Sequence, residues 1–185
     1  QTPFGAPSEF RELSPLSKIP VWKEGDFVLP DSSVILSYIE QRYPTPPLLP
    51  ADPQPRAKAL WFQEYGGSKL NDVTAGVFFE RIVKPKVLNL DTDTKLVDRI
   101  LEKALPRELD YLTKCLGGNE YMVGGMFSLA DIALTTSFVN LNLAGINVDA
   151  ERWPAYADYV ERILALPFYA PIVAQVPTWA KYQQD

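Results

Sequence analysis

Two short segments hold residue types that could grip a polar small molecule. The first is Ser14-Pro15-Leu16-Ser17-Lys18-Ile19-Pro20-Val21, where an X-Pro bond stands at the mouth of an apolar run. A cis bond there would turn the preceding residue's amide and carbonyl away from the sheet. Those groups could then pair with an extended, peptide-like ligand, as an added strand does. Trans is the commoner state, and the residues alone favour it. The second segment is Asp31-Ser32-Ser33, which opens an amphipathic stretch. Two readings stay open for it. One is a plain helix N-cap. In the other, the same free amides and partial positive charge hold a ligand carboxylate, while the neighbouring acid takes an ammonium. Carboxylate and ammonium on one carbon are the mark of a free α-amino-acid end.

A third pattern, Ser128-Leu129-Ala130-Asp131, is a capping box with Asp in place of Glu, and Phe127 with Ile132 supplies the matching hydrophobic staple. Ser128 and Asp131 are read as a folding signal without a catalytic role. Cys115 ends an amphipathic stripe and is expected to be a buried, inert thiol. Trp153 and Trp179 are expected in the core.

Composition removes whole classes of chemistry. The 185 residues contain no histidine, so Ser-His-Asp and Cys-His catalysis and every imidazole base are excluded within them. With one cysteine there is neither an internal disulfide nor a thiolate cluster, and no metal site is expected. That usage fits a reducing compartment. A net charge of -5 argues against nucleic acid or an anionic membrane as partner. No apolar run approaches the roughly 18 residues of a bilayer span, and no signal peptide is expected at the start. At 46% hydrophobic and 22% charged, the chain can bury a core.

The elements that must position these residues follow from seventeen prolines and the apolar spacing. Residues 1–18 read as loop or a poor edge strand. Ile19–Trp22 and Phe27–Leu29 flank a charged Lys23-Glu24-Gly25-Asp26 turn and predict a β-hairpin. Val34, Ile35, Tyr38 and Ile39 predict a helix over 33–43, stopped ahead of Pro44. Six prolines between Pro44 and Pro55 form a stiff linker. Beyond it the chain reads as helix throughout. One helix starts near Pro55 with Asp52 as its cap, turns Leu60, Trp61, Tyr65 and Val73 inward, and can bend at Gly66-Gly67. The next covers 94–116, kinked or split by Pro106 and stopped by Gly117-Gly118. Two more cover 129–143 and the stretch from Pro154 to about Leu166.

In this order and spacing the segments resemble the cytosolic glutathione transferase superfamily. Ser14, Pro15, Lys18, Ile19 and Pro20, the hairpin, then Asp31 and Ser32 are similar to the second half of that family's thioredoxin-like domain. The proline-rich linker, the Ser128 helix start and the closing Trp153-Pro154-Ala155-Tyr156 and Leu166-Pro167-Phe168-Tyr169 segments look like its helical domain. The implied fold class is α+β: a partial thioredoxin-like N-terminal domain (β-hairpin plus helix) over 1–45, a linker over 46–55, and an all-α helical bundle over 56–185.

The resemblance also implies roles. Pro20 would be the family's cis proline, with Ile19 offering its backbone to the cysteinyl part of glutathione. Ser32, with Asp31 beside it, would hold the γ-glutamyl end, and Lys18 would meet a glutathione carboxylate. The implied protein is a cytoplasmic, homodimeric enzyme that joins glutathione, its co-substrate, to a hydrophobic electrophile. Tyr65, Val73 and Phe78 are possible walls for that second substrate. In the family a strand-helix-strand unit carries the thiolate-stabilising Tyr, Ser or Cys ahead of this region. Only thirteen residues precede Ser14, against the ~30 that such a unit needs, and Thr2 and Ser8 lie in the wrong place to replace it. The thiolate partner is therefore expected upstream of Gln1. No catalytic residue is assigned within the 185, which alone should bind glutathione weakly at most and not conjugate it. The alternative is a non-catalytic binding or assembly module of the same fold.

Overall fold

The computed structural model describes residues 8–175. The chain divides into two compact units, Gln1–Leu49 and Pro50–Asp185.

In the first unit the run expected to be loop contains a short helix, α1 (Ser8–Leu13). It ends in a tight turn built on Ser14, which is buried between half-buried Leu13 and exposed Pro15. The Ser14 hydroxyl donates to the Lys18 carbonyl at 2.8 Å and accepts the Lys18 N–H at 3.0 Å. One side chain thus stands in for a strand partner and satisfies both main-chain groups of residue 18. Strands β1 (Val21–Glu24) and β2 (Phe27–Pro30) pair antiparallel, Val21 opposite Pro30 and Glu24 opposite Phe27. The connection is only Gly25-Asp26, so Lys23 and Glu24 belong to β1 rather than to the turn. Gly25, at φ +60°, fills the first turn position, where two-residue hairpins of the II′ kind place glycine.

Helix α2 (Ser32–Arg42) lies against this hairpin through Tyr38, whose ring meets Trp22 and Phe27 and whose hydroxyl donates to Glu24 at 2.7 Å. Ile35 is buried as its spacing predicts, but Val34 is half exposed. The buried Glu40 was invisible to apolar spacing. Its Oε1 accepts the Leu49 N–H at 3.0 Å, and both oxygens accept that of Leu48 at 3.1 Å. It thereby ties down the middle of the proline-rich run, in which Thr45-Pro46 is cis.

The second unit is helical. Asp52 caps α3 (Pro53–Tyr65), accepting the Gln54 N–H at 3.1 Å. Helical backbone then continues without a break. A π-helical turn (Gly66–Leu70) leads to α4 (Asn71–Phe78), a second such turn (Phe79–Val83) to α5 (Lys84–Val87). Gly66-Gly67 opens the first of these turns and marks a change of hydrogen-bond register. The inward face of α3 is Ala59, Phe62 and Gln63; Leu60 and Trp61, expected inside, are 39% and 54% exposed. The reason is Gly66. A Cβ there would sit 2.7 Å from the backbone carbon and oxygen of Ala133, so the helix is held to its neighbour along the stripe of Ala59, Phe62, Gln63 and Gly66, and Leu60 and Trp61 fall outside that stripe.

The next pair is α6 (Thr94–Arg99) and α7 (Leu105–Leu116), joined by a π-helical turn (Ile100–Ala104) directly ahead of Pro106. That change of bonding is how the chain passes a proline, which has no N–H to give and crowds the preceding turn. Glu80 anchors the loop before α6: its carboxylate accepts the Asp93 N–H and pairs with Lys84, both at 2.8 Å. Gly117 closes α7 in the left-handed conformation, φ +57°.

Helix α8 (Leu129–Leu143) is the centre of the unit, with Leu129, Leu134, Phe138 and Leu141 each at most 1% exposed. Helix α9 (Pro154–Leu164) starts on proline as expected and inserts Tyr156 and Tyr159 beside it. The short α10 (Ala170–Ala174) follows. Trp153 is buried and donates its Nε1–H to Asp110 at 2.7 Å; Trp179 and Thr2 lie outside the described residues. No helix among the described residues is long and apolar enough to cross a membrane.

Candidate functional site

The residues singled out in the sequence converge at one end of the hairpin. The register sets Val21 opposite Pro30, so the next residues outward are Pro20 on one strand and Asp31 on the other, followed by Ile19 and Ser32. Both pairs of residues thus flank the same end of the hairpin, just beyond its last paired residues. Lys18, Ile19, Pro20, Asp31 and Ser32 are all exposed, and the Ile19-Pro20 bond is cis. Ser14 fixes the backbone of Lys18, the residue leading into this edge.

The cap of α2 is Asp31, not Ser32. Its Oδ1 accepts the amides of Ser33 at 2.9 Å and Val34 at 3.3 Å, which are two of the free donors of the helix start. Asp31 holds φ +86°, a backbone state that favours glycine, so the turn into α2 is strained at the residue that caps it. Capping leaves its second carboxylate oxygen, Oδ2, and the Ser32 hydroxyl without partners among the described residues. The site therefore presents one carboxylate oxygen, one hydroxyl, the positive end of an eleven-residue helix, an exposed ammonium on Lys18 and a strand edge. These groups can hold a zwitterionic, extended peptide.

The capping box in the helical unit is present. Asp131, fully buried, accepts the Ser128 N–H and the Met122 N–H at 2.8 Å, the Ser128 hydroxyl at 3.0 Å and the Tyr159 hydroxyl at 2.8 Å. Burial and the adjacent carboxylate hold the Tyr159 phenol far above its ordinary range. Asp131 thus locks the start of α8 to α9 and to the preceding turn, a positioning role. Phe127 meets Tyr121 and Phe168 edge-on.

The proposed walls for a second substrate fare unequally. Val73 is sealed in the core. Tyr65 is half-buried, donating its hydroxyl to the buried Glu108, which also faces Lys69 at 3.8 Å; burial and Glu108 together push this phenol well up. Phe78 is half-buried. Cys115 is half-buried rather than enclosed. No group of three or more potential metal-ligating side chains occurs among the described residues.

Comparison with known proteins agrees with both halves of this picture. The family model for the glutathione S-transferase C-terminal domain matches residues 70–167, and that for the N-terminal domain matches residues 1–47. The chain belongs to the glutathione S-transferase family, with a thioredoxin-like N-terminal domain and a helical C-terminal domain. It is 26% identical over 168 residues to glutathione S-transferase Z2 of Arabidopsis thaliana, covering 91% of this chain and 73% of that one. It is also 26% identical over 172 residues to FtsZ-localized protein A of Caulobacter vibrioides, covering 91% and 75%. Among solved structures, a glutathione S-transferase from Methylobacterium radiotolerans in complex with glutathione sulfonate superposes with a TM-score of 0.74 at 27% identity, over 94% of this chain and 80% of that one.

Proposed function

We propose that the hairpin end is a glutathione-binding edge and that the protein serves glutathione conjugation to an electrophilic small molecule. The observation that supports this reading is the β1–β2 register, which ends with Val21 opposite Pro30 and so leaves Ile19-Pro20 and Asp31-Ser32 flanking the same end of the hairpin. The Ile19 backbone pairs with the cysteinyl residue as a strand would. The α2 N-terminus and the Ser32 hydroxyl take the γ-glutamyl carboxylate, and Asp31 Oδ2 takes its ammonium. Lys18 neutralises the remaining carboxylate. In the reaction the thiol gives its proton to water, sulfur forms a bond to the electrophilic carbon, and the leaving group departs with its electron pair. Residues 18–32 supply binding and orientation for that step; stabilisation of the thiolate is assigned to none of them.

Calorimetric titration of glutathione into the protein and its Ser32→Ala variant tests this. A hydroxyl bonded to a charged carboxylate contributes roughly 1.5–3 kcal/mol, so affinity should fall by at least tenfold. The cap belongs to Asp31, so thermal stability should stay within about 0.5 kcal/mol of the parent. Unchanged affinity would remove Ser32 from the site.

A second reading is favoured by one relative: FtsZ-localized protein A is named for where it sits rather than for a reaction. A binding or assembly module would keep the hairpin edge for a peptide. Turnover of a standard electrophile such as 1-chloro-2,4-dinitrobenzene by the full-length protein separates the two: conjugation well above the uncatalysed rate supports the enzyme, and its absence supports the module.

A further inference from the structure

Helices α8 and α9 both end beside a cavity of about 480 Å³, closed on a third side by α10. Asn142 lies in the last turn of α8, and Glu161 and Leu164 lie in the last turn of α9. The apolar wall is aliphatic. It consists of buried Val160 with half-buried Val148, Leu164 and Val173, and no aromatic ring lines it among the described residues. The polar corner is held in shape by Asn142. Its side-chain amide donates to Asn147 Oδ1 at 3.0 Å and to the carbonyls of Ile146 and Phe138 at 3.1 and 3.2 Å, tying the loop after α8 to the helix end.

The electrostatics of this cavity have one sign. Each of the two helices turns the negative end of its dipole toward it. Glu161 is the single charged side chain lining it, and no cation pairs with that carboxylate among the described residues. One carboxylate is too few oxygen ligands for a divalent metal ion. A wall without rings offers no face to a quaternary ammonium. An alkyl chain ending in a primary ammonium suits both surfaces, its N–H donors toward Glu161 and its methylenes along the valines and Leu164. The volume lies within the range of small-molecule sites.

We propose that this cavity binds a short aliphatic primary amine in its ammonium form. The inference does not rest on the glutathione reading, because every residue it uses belongs to the helical unit and none of them holds glutathione.

Amide chemical-shift titrations of the whole 185-residue protein at pH 7 test it with three probes: n-hexylamine, a cation at that pH as lysine is, neutral 1-hexanol and anionic hexanoate. Hexylammonium should shift the amides of Val148, Val160, Leu164 and Val173 along one saturation curve, and should bind about tenfold more tightly than butylammonium, which has two fewer methylenes to bury. Glu161→Gln should weaken hexylammonium by roughly fivefold, as an exposed charge contact does, and leave hexanol unchanged. Ala165→Leu, at an exposed position on the cavity wall, fills the space and should weaken both probes by about tenfold. Melting curves of the two variants read any folding defect directly, and the comparison of hexylammonium with hexanoate is made on the parent protein. The proposal is overturned if those four amides share no saturation curve, if hexanoate binds the parent as tightly as hexylammonium, or if either folded variant binds hexylammonium as the parent does.

Discussion

At the residue scale, Asp31 and Tyr159 show how much one side chain can fix. Asp31 caps α2 from a strained backbone state, so its two contributions have opposite sign and can be separated. Asp31→Ala loses the cap and keeps the strain; it should destabilise the first unit by about 1–2 kcal/mol. Asp31→Gly also loses the carboxylate but relieves φ +86°, so it should cost only a few tenths. Chemical denaturation of the pair decides this, and equal losses would mean the strain is not stored there. Tyr159 gives a pH signature. Its folded phenol titrates far above the ordinary ~10, so below that pH both folded and unfolded forms are protonated and the contribution is complete. Above it the unfolded chain ionises first, and stability falls as pH rises. Tyr159→Phe should cost about 1–3 kcal/mol at neutral pH, by taking a donor from buried Asp131, and should flatten the alkaline decline. An unchanged slope between pH 9 and 11 would contradict it.

At the scale of elements, two adjacent glycines make opposite predictions. A Cβ on Gly66 would meet Ala133 backbone atoms at 2.7 Å, and backbone cannot step aside as a side chain does. Gly66→Ala should cost about 1–3 kcal/mol, and Ala133→Gly should not restore it. Gly67 has open space around the same position, so Gly67→Ala should stabilise by about 0.5–1 kcal/mol through its unfolded state. Thermal melts of the two variants check both signs.

The same contact explains what was and was not legible in the sequence. Helices α2, α8 and α9 could be read because proline, capping residues and apolar stripes act locally. The phase of α3 could not, because it is set by a distant backbone meeting Gly66 rather than by the size of Leu60 and Trp61. Helix α1 was hidden among prolines that say loop. At the candidate site the motif pairs Ile19-Pro20 and Asp31-Ser32 were legible as types. The grips of Ser14 on Lys18 and of Glu40 on Leu48 and Leu49 were not, since polar side chains bonded to backbone leave no periodic trace.

At the scale of the whole molecule, the two units present different groups to a ligand. The N-terminal unit offers a strand edge beside a helix N-terminus, suited to an extended zwitterion. The helical unit offers an aliphatic cavity with one carboxylate. The central claim concerns the first, and amide chemical-shift mapping reads it residue by residue even when binding is weak. Millimolar glutathione added to the labelled protein should shift the amides of Lys18, Ile19, Val21 and Asp31 to Val34 together, along one saturation curve, and leave those around Val148 and Val160 in place. Shifts confined to the helical unit, or none at the hairpin end at saturating ligand, would contradict the account.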